Sequence, residues 1–235
     1  MPRLHGDSGV ELVMINTAGG LTGGDRLSIE VVVGERACAT VTTPACEHIY
    51  RSLGSEASIE QRLQVARGAK LDWIPQETIL FDRGRVRRQL DAWLEADAEL
   101  TIAEAVLFGR TAMGETVTNG FLSDFWTVRR DGHLLFADAT RIAESFSQSA
   151  ACLAALRGQT AMASVVHVGR NLERKRDRLR AGFSQATESA AGASVIGDVL
   201  VARIVAPGRM ALRRALVPAL ASLRDTRPLP RLWYC

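Results

Sequence analysis

Hydrophobic and polar residues alternate through most of the first 140 positions, with the two-residue period of a half-buried β-strand. Turn-forming residues interrupt this alternation at four places, each between two alternating segments. The pattern therefore predicts four β-hairpins in series, with turns at Gly34, Arg67-Gly68, Asp97 and Asp131-Gly132. Asp-Gly in particular favours the left-handed backbone that two-residue hairpin turns require.

The second strands of these four units align with one another. They read ACATVTT, AKLDWIP, AELTIAE and HLLFADA, and they start at residues 37, 69, 98 and 133. The spacing of 32, 29 and 35 residues is a loose period of about thirty, which is typical of stacked supersecondary repeats. We expect each unit to bury the apolar face of the next. A β-sandwich with regular hairpins would show the same pattern, so both architectures are open at this point.

The pattern changes towards the C-terminus. Residues 160–169 predict a strand, 170–183 an arginine-rich polar helix, 194–207 one buried strand and 209–224 a second helix. The second helix carries an apolar stripe, and Pro218 is expected to kink it or to mark a boundary. We therefore expect one mainly β domain over residues 1–235. It comprises a β-helix-like stack of hairpins (1–145) and a small α/β cap of alternating strands and helices (146–235).

Composition narrows the classes of function. Charged residues make up 23% of the chain and hydrophobic residues 47%, as in ordinary globular proteins. All basic residues except Lys70 and Lys175 are arginine, and these are scattered among acids while aromatic residues make up only 6%. Nucleic-acid binding is therefore not expected, because it requires a basic stripe with stacking or base-reading partners. The sequence shows no leader peptide and no long apolar run, so a cytoplasmic protein that does not span a membrane is expected.

The cysteines and histidines give little sign of a metal or catalytic centre. The four cysteines show no C-x-x-C spacing, which favours a reducing compartment. Cys46 and His48 form a Cys-x-His pair that could bind a soft metal, although packing of Cys46 as a small hydrophobic residue is the alternative. No G-x-S-x-G or H-E-x-x-H motif is present, so no hydrolytic group of residues is visible.

A glycine-rich segment, NTAGGLTGGDRL, precedes the first long alternating strand. A phosphate-binding loop would need a following helix and Lys-Ser or Lys-Thr, and a dinucleotide site would need G-x-G-x-x-G spacing. The segment has neither, so its glycines are interpreted as turn residues with positive φ that bring Asp25 to a strand entrance. These glycines are Gly19, Gly20, Gly23 and Gly24.

Isolated acidic residues recur at predicted strand ends and turns. Carboxylates bind hard or borderline divalent ions, and acids spaced along a path would pass an ion onward where a closed set of ligands would retain it. The alternative is that each acid pairs with one of the many arginines. The candidates are Asp25, Glu77, Asp82, Glu104 and Glu115.

Five motifs carry a resemblance to a known family: NTAGGLTGGDRL, TTPACEHIYRS, WIPQETILFDRGR, AEAVLFGRTAMGE and LPRLWYC. Together they resemble the urease accessory protein D family, also called H, from residue 16 to the C-terminus. The resemblance implies a non-enzymatic scaffold that binds apo-urease and the accessory F protein, through which the GTPase accessory G protein is recruited. It also implies a β-helix-like fold with an internal tunnel for transient Ni²⁺ and no permanently bound cofactor.

An alternative function from another class stays open, and the chain departs from the family pattern before the glycine motif. The alternative is a β-solenoid hydrolase that acts on a sugar-like substrate through two acids such as Asp25 and Glu77. Such an enzyme would need a fixed carboxylate separation beside an open cleft. The departure is the short stretch before the glycine motif, where the family usually has a further strand, so we expect an exposed sheet edge and poor solubility.

Overall fold

Two β-sheets face each other and two helices cover the larger sheet. The computed structural model describes residues 9–110, 113–143, 156–225 and 227–234, and these ranges form a nine-stranded and a five-stranded sheet. The larger sheet contains β1 (Val10–Val13), β3 (Cys38–Thr42), β4 (Glu47–Ile49), β6 (Lys70–Trp73), β7 (Thr78–Leu80), β9 (Glu99–Phe108), β12 (Ala161–Val168), β13 (Ala190–Ile196) and β14 (Val199–Ala206). The smaller sheet contains β2 (Arg26–Val33), β5 (Ala57–Val65), β8 (Arg85–Leu94), β10 (Phe121–Arg130) and β11 (His133–Ile142).

The helices follow in the C-terminal third of the chain. They are α1 (Leu172–Phe183), α2 (Arg209–Leu223) and a short 3₁₀-helix (Arg231–Tyr234). The predicted fold class, a mainly β chain with solenoid-like stacking and C-terminal helices, is confirmed.

Successive units stack through parallel strands. In the smaller sheet β2 pairs with β5, β5 with β8 and β8 with β10, all in parallel. In the larger sheet β3, β6 and β9 are also parallel, with Cys38 opposite Lys70 and Lys70 opposite Glu99. This register is the one that the alignment of segments starting at 37, 69 and 98 predicts. Parallel stacking between units distinguishes the solenoid from the sandwich left open by the sequence.

Three of the four predicted hairpins are instead arches between the two sheets. The turns at Gly34, Arg67-Gly68 and Asp97 each connect a strand of the smaller sheet to a strand of the larger one. Alternation specifies that a segment is a half-buried strand but does not specify its pairing partner, which explains the error. The turn at Asp131-Gly132 does form a hairpin, in which Arg130 lies opposite His133 and both turn residues have positive φ.

The fourth aligned segment therefore has a different position from the first three. HLLFADA lies in β11 at an edge of the smaller sheet, antiparallel to β10. Beside β9 in the larger sheet, the next position is occupied by β12, which runs antiparallel to β9. The chain reverses direction here, so the repeat ends after three parallel units.

The C-terminal strands continue the larger sheet. Residues 194–207 were predicted as one strand, but Ile196 and Val199 are paired across a two-residue turn, so this region is a hairpin of β13 and β14. Gly197 has a φ of 55°, which permits that turn within an otherwise apolar run. Helix α2 continues through Pro218, so this residue is not a helix boundary.

Apolar layers fill both spaces between these elements. Between the sheets lie side chains such as Leu63, Leu90 and Ile102, all fully buried. The apolar stripe of α2 predicted by its spacing is buried against the other face of the larger sheet, through Leu212, Leu216, Leu220 and Leu223. Strand β9 lies between these layers, so its alternate residues face the smaller sheet and the helices.

Candidate functional site

Glu104 lies between the two sheets. It is on β9 in phase with Ile102 and Val106, both of which pack between the sheets, and its side chain is 1% exposed. Its Oε1 accepts hydrogen bonds of 2.8 Å from the Gln61 side-chain amide and from the Trp73 indole N–H. A charged residue in the phase of a buried apolar face is costly unless it is paired.

Arg88 supplies the opposite charge. Its Nη1 lies 2.7 Å from Glu104 Oε2, and its Nε and Nη2 donate to Asp124 at 3.1 and 2.5 Å. One guanidinium thus stands between two carboxylates, all nearly buried. Burial raises the pKa of the Glu104 carboxyl above its ordinary value; Arg88 opposes this shift and Asp124 reinforces it. The group of three side chains has one more negative than positive charge when both acids are ionised.

A cavity of about 280 Å³ opens above this ion-pair group. Its buried wall is formed by Gln61, Trp73, Arg88 and Glu104, and its more exposed rim includes Ile15 and Thr17. Glu47 lines the same cavity and accepts two hydrogen bonds, of 3.0 and 3.1 Å, from Asn16. The cavity therefore contains two carboxylates at different depths, in the space between the sheets.

Glu77 lies on the opposite side of the larger sheet and is fully buried under α2. Its Oε1 is 2.9 Å from Arg213 Nη1 and its Oε2 is 3.4 Å from Arg209 Nε. Arg213 also donates to Gln76 and to the Trp233 carbonyl, which connects α2 to the C-terminal 3₁₀-helix. Glu77 thus has the arginine pairing that the sequence left open, and it does not share a face with Glu104.

The Cys46-x-His48 pair shows no ligand geometry. The Cys46 thiol donates to Glu77 at 3.5 Å, and burial together with the Glu77 charge raises the pKa of Cys46 to about 11. The His48 ring instead lies 5.7 Å from the Phe81 ring and 5.9 Å from the Tyr50 ring. Among the described residues, no group of three or more His, Cys, Asp and Glu side chains is placed to hold a metal ion.

The glycine motif forms turns and permits a close approach. Gly19, Gly20 and Gly24 have positive φ, and the Tyr50 hydroxyl donates to the Gly19 carbonyl at 3.0 Å. A Cβ on Gly20 would lie 2.4 Å from a Tyr50 ring carbon, so a side chain cannot fit there. The expectation of positive φ is wrong for Gly23, where glycine is needed because a Cβ would clash with Ser52 and Ser55.

Asp25 lies exposed at the end of the glycine turns. Its carboxylate accepts a 2.8 Å hydrogen bond from the Thr22 amide, and its own amide donates to the Thr22 carbonyl. The side chain thus closes a turn next to β2. Since Asp25 is exposed and Glu77 is buried beneath α2, these two acids do not face a common open cleft, which the hydrolase alternative requires.

Asp82 and Glu115 are brought together at the loop edge. The Asp82 amide donates to Glu115 at 3.4 Å, and Arg110 donates to Glu115 through its backbone and side chain. The hydrogen bond from the Arg110 side chain is the main reason that the pKa of Glu115 is below its ordinary value. Burial raises the pKa of Asp82, but hydrogen bonds from Asn119 and Thr118 outweigh it and lower the pKa overall.

The five candidate acids therefore occupy three regions and do not form one file. Glu104 lies between the sheets, Glu77 lies under α2, and the other three lie at loops. Sequence reasoning missed Arg88, Gln61 and Asp124. A signal was present for two of them, because Arg88 is in phase with Val86 and Leu90, and Gln61 lies in an apolar phase of β5.

The resemblance carried by the five sequence motifs agrees with the comparisons to known proteins. A family model described as UreD urease accessory protein matches residues 1–234. The chain belongs to the UreD family. It is 45% identical to the urease accessory protein UreD of Chelativorans sp. (strain BNC1) over 234 residues, which cover 99% of this chain and 83% of the relative.

Other UreD proteins show the same extent of similarity. The chain is 44% identical to urease accessory protein UreD of Rhizobium etli over 97% of this chain and 82% of the relative. It is 43% identical to the protein of that name from Xanthobacter autotrophicus, over 99% of this chain and 79% of the relative. As a UreD family member, the chain is a urease accessory protein. Neither helix in the described part of this UreD protein is long and apolar enough to cross a membrane.

Proposed function

We propose that the protein is a non-enzymatic scaffold in urease maturation. It binds apo-urease and the accessory F protein, recruits the GTPase accessory G protein through F, and conducts Ni²⁺ as transient cargo. Family membership supports the accessory role, and the observation that carries the transport step is the carboxylate-lined cavity between the sheets.

The charges around Glu104 are suited to binding a nickel ion weakly and releasing it again. A carboxylate attracts a borderline divalent cation, but the Arg88 guanidinium 2.7 Å away already satisfies much of its charge. A cation at this position competes with Arg88 and with a proton, since burial raises the pKa of Glu104. The affinity for Ni²⁺ is therefore modest, in the micromolar range or weaker, as exchange along a path requires.

Of the five acids predicted from sequence, we assign transient nickel binding in the cavity between the sheets to Glu104. We add Glu47, which lines the same cavity nearer its rim, as a second nickel ligand. Glu77 is assigned a structural role, because two arginines and the Cys46 thiol occupy it. We assign Asp25, which is exposed at the glycine turns, and the partly exposed Asp82 and Glu115 at the loop edge to contact with a partner or with an entering ion.

The transport step is tested by Glu104→Gln, which keeps the shape and one acceptor oxygen but removes the charge. Arg88 retains Asp124, so the fold persists, as judged by circular dichroism, and the complex with urease, F and G is still recovered. Nickel content and urease activation fall several-fold. Glu173→Gln, an exposed change on α1, is the matched control and is silent. Normal activation by Glu104→Gln, or a stoichiometric nanomolar nickel site in the parent protein, would contradict the proposal.

The scaffold role is tested separately by copurification from cells that carry the urease operon. The tagged chain should retain apo-urease and F, and should retain G only when F is present. Retention of G in a strain that lacks F would refute the proposed order of assembly.

A further inference from the structure

A row of buried polar side chains crosses the helix-facing side of the larger sheet. Thr40, Asp72, Thr101 and His167 lie opposite one another on β3, β6, β9 and β12, and each is at most 3% exposed. Elsewhere this face is covered by alanine, leucine and valine side chains that pack against α1 and α2. The proposed function of the interior cavity uses none of these four residues.

Two arginines that follow α2 pair with the acid of this row. Arg224 Nη1 lies 2.5 Å from Asp72 and donates to the Thr40 hydroxyl at 3.0 Å. Arg227 Nη1 lies 2.7 Å from the same Asp72 oxygen. Two cations thus share one carboxylate, which leaves one positive charge in excess at this point.

The hydrogen bonds of His167 leave the hydroxyl donor of its neighbour Thr101 unused. Buried Lys175 donates to His167 Nε2 at 3.1 Å and to the Leu223 carbonyl at 2.9 Å, so Nε2 is an acceptor. The proton of the neutral ring is then on Nδ1, which donates to the Thr101 hydroxyl oxygen at 3.0 Å. Burial lowers the pKa of His167 to about 3, in agreement with a neutral ring. The Thr101 hydroxyl hydrogen has no acceptor among the described residues and is consequently available to another group.

A cavity of about 340 Å³ lies over this row, and we call it the polar cavity. Its rim includes Arg36 and Lys70, and Lys70 pairs with Glu99 at 3.2 Å. Its lining carries four cationic side chains and three carboxylates, and Lys175 behind His167 adds a fifth cation. The charged residues of the lining are Arg36, Lys70, Asp72, Glu99, Arg224, Asp225 and Arg227.

We propose that the polar cavity binds a phosphate group. A surplus of about two positive charges, guanidinium and ammonium donors and the free Thr101 hydroxyl match a dianionic oxyanion. A cavity of this volume accommodates a phosphate or a small phosphate monoester. A bound phosphate would connect the arch at Arg36 and the edge of β6 to the segment after α2, and so would fix this segment against the sheet.

The proposal is tested by isothermal titration of the full chain, fused to a solubilising carrier, with inorganic phosphate. Binding with a dissociation constant in the millimolar range or tighter is expected. Changing the two rim cations together, Arg36→Gln with Lys70→Gln, should weaken the affinity at least about 10-fold, because two of the charged donors are lost. Circular dichroism checks that the variant is folded, and exposed Arg174→Gln on α1 is the matched control with unchanged affinity.

Two further arms define the ligand class. Adenosine monophosphate in place of inorganic phosphate distinguishes an ester from the free ion, because tighter binding of either assigns the source of the phosphate group. Acetate at equal ionic strength is expected to bind at least about 10-fold more weakly, since it is a monoanion. Absence of phosphate binding, equal affinity for acetate, or unchanged affinity in the folded double variant would overturn the proposal. None of these results depends on nickel transport.

Discussion

Replacing Glu77 by glutamine tests whether this buried acid is a structural partner or a ligand for the nickel ion that we propose as cargo. The carboxylate is fully buried, and it is held by Arg213 at 2.9 Å and Arg209 at 3.4 Å. In Glu77→Gln the shape is kept but the charge is lost, so the Arg213 guanidinium, 11% exposed, lacks its counter-ion. We therefore expect a less stable protein.

The size of the stability loss in Glu77→Gln follows from the contacts that the two arginines keep. Breaking a buried ion pair by removing one partner costs about 3 to 5 kcal/mol. Here Arg213 keeps hydrogen bonds of 2.8 Å to Gln76 and 2.6 Å to the Trp233 carbonyl, and Arg209 is 46% exposed and can be hydrated. These contacts reduce the expected loss in the free energy of unfolding to about 2 to 3 kcal/mol. For a chain of this length the melting temperature should fall by about 5 to 10 °C.

Thermal and urea unfolding of four proteins measure this effect: the parent, Glu77→Gln, Arg213→Gln and the double variant. If the two side chains act as a pair, the double variant should be more stable than the sum of the single changes predicts, by about 1 to 3 kcal/mol. Glu77→Asp should recover part of the loss. A melting temperature within about 1 °C of the parent, combined with loss of urease activation, would refute the structural role and return Glu77 to the nickel path.

Three other local features and one sheet edge give further expectations. Cys46, with a pKa of about 11, should react with iodoacetamide at pH 8 about 100-fold more slowly than an ordinary cysteine; equal rates would contradict its burial beside Glu77. The lowered pKa of Asp82 contributes stability that is present above the ordinary pKa and is lost as pH falls through the lower folded value. The difference in urea midpoint between the parent and Asp82→Asn should therefore shrink below about pH 4. Gly20→Ala should cost about 2 to 4 kcal/mol because its Cβ meets Tyr50, whereas Gly19→Ala, with open space, should cost about 1 kcal/mol in the same assay. The outer edge of β2 is unpaired in the described part of the chain, so the isolated protein should aggregate and be rescued by a partner; light scattering from a monodisperse monomer would oppose this.

Sequence patterns predicted the strands and the repeat better than they predicted the pairing. The alignment at residues 37, 69 and 98 succeeds because stacked units place equivalent residues opposite each other, as Cys38, Lys70 and Glu99 show. The hairpin interpretation fails at the arches because a short turn between alternating strands has the same residue preferences whether the strands pair or separate into two sheets.

For the candidate acids too, the sequence indicated the residues but not their tertiary partners. The residue types were identifiable, but whether Glu77 or Glu104 faces the space between the sheets depends on strand phase and on which face α2 covers. Their counter-ions, Arg213 and Arg88, lie 136 and 16 positions away in the chain, so no local pattern connects them. The periodicity of a single sequence predicts strands and their faces, but it does not predict which charged residues pair over such separations.

The parallel stacking of units has a consequence for how the protein loses structure. Each unit contacts mainly its neighbours, so opening can begin at an end without disturbing the middle. β1 and β2 are the edge strands at the N-terminal end of the stack, and in β2 the inward-facing Leu27, Ile29 and Val31 are only partly buried. Amide hydrogens should therefore exchange fastest in these two edge strands and slowest in β8 and β9, each of which is paired with a neighbouring strand along both of its edges. A protease would then cleave successive units from this end of the stack, and the region around Glu104 would be cleaved last.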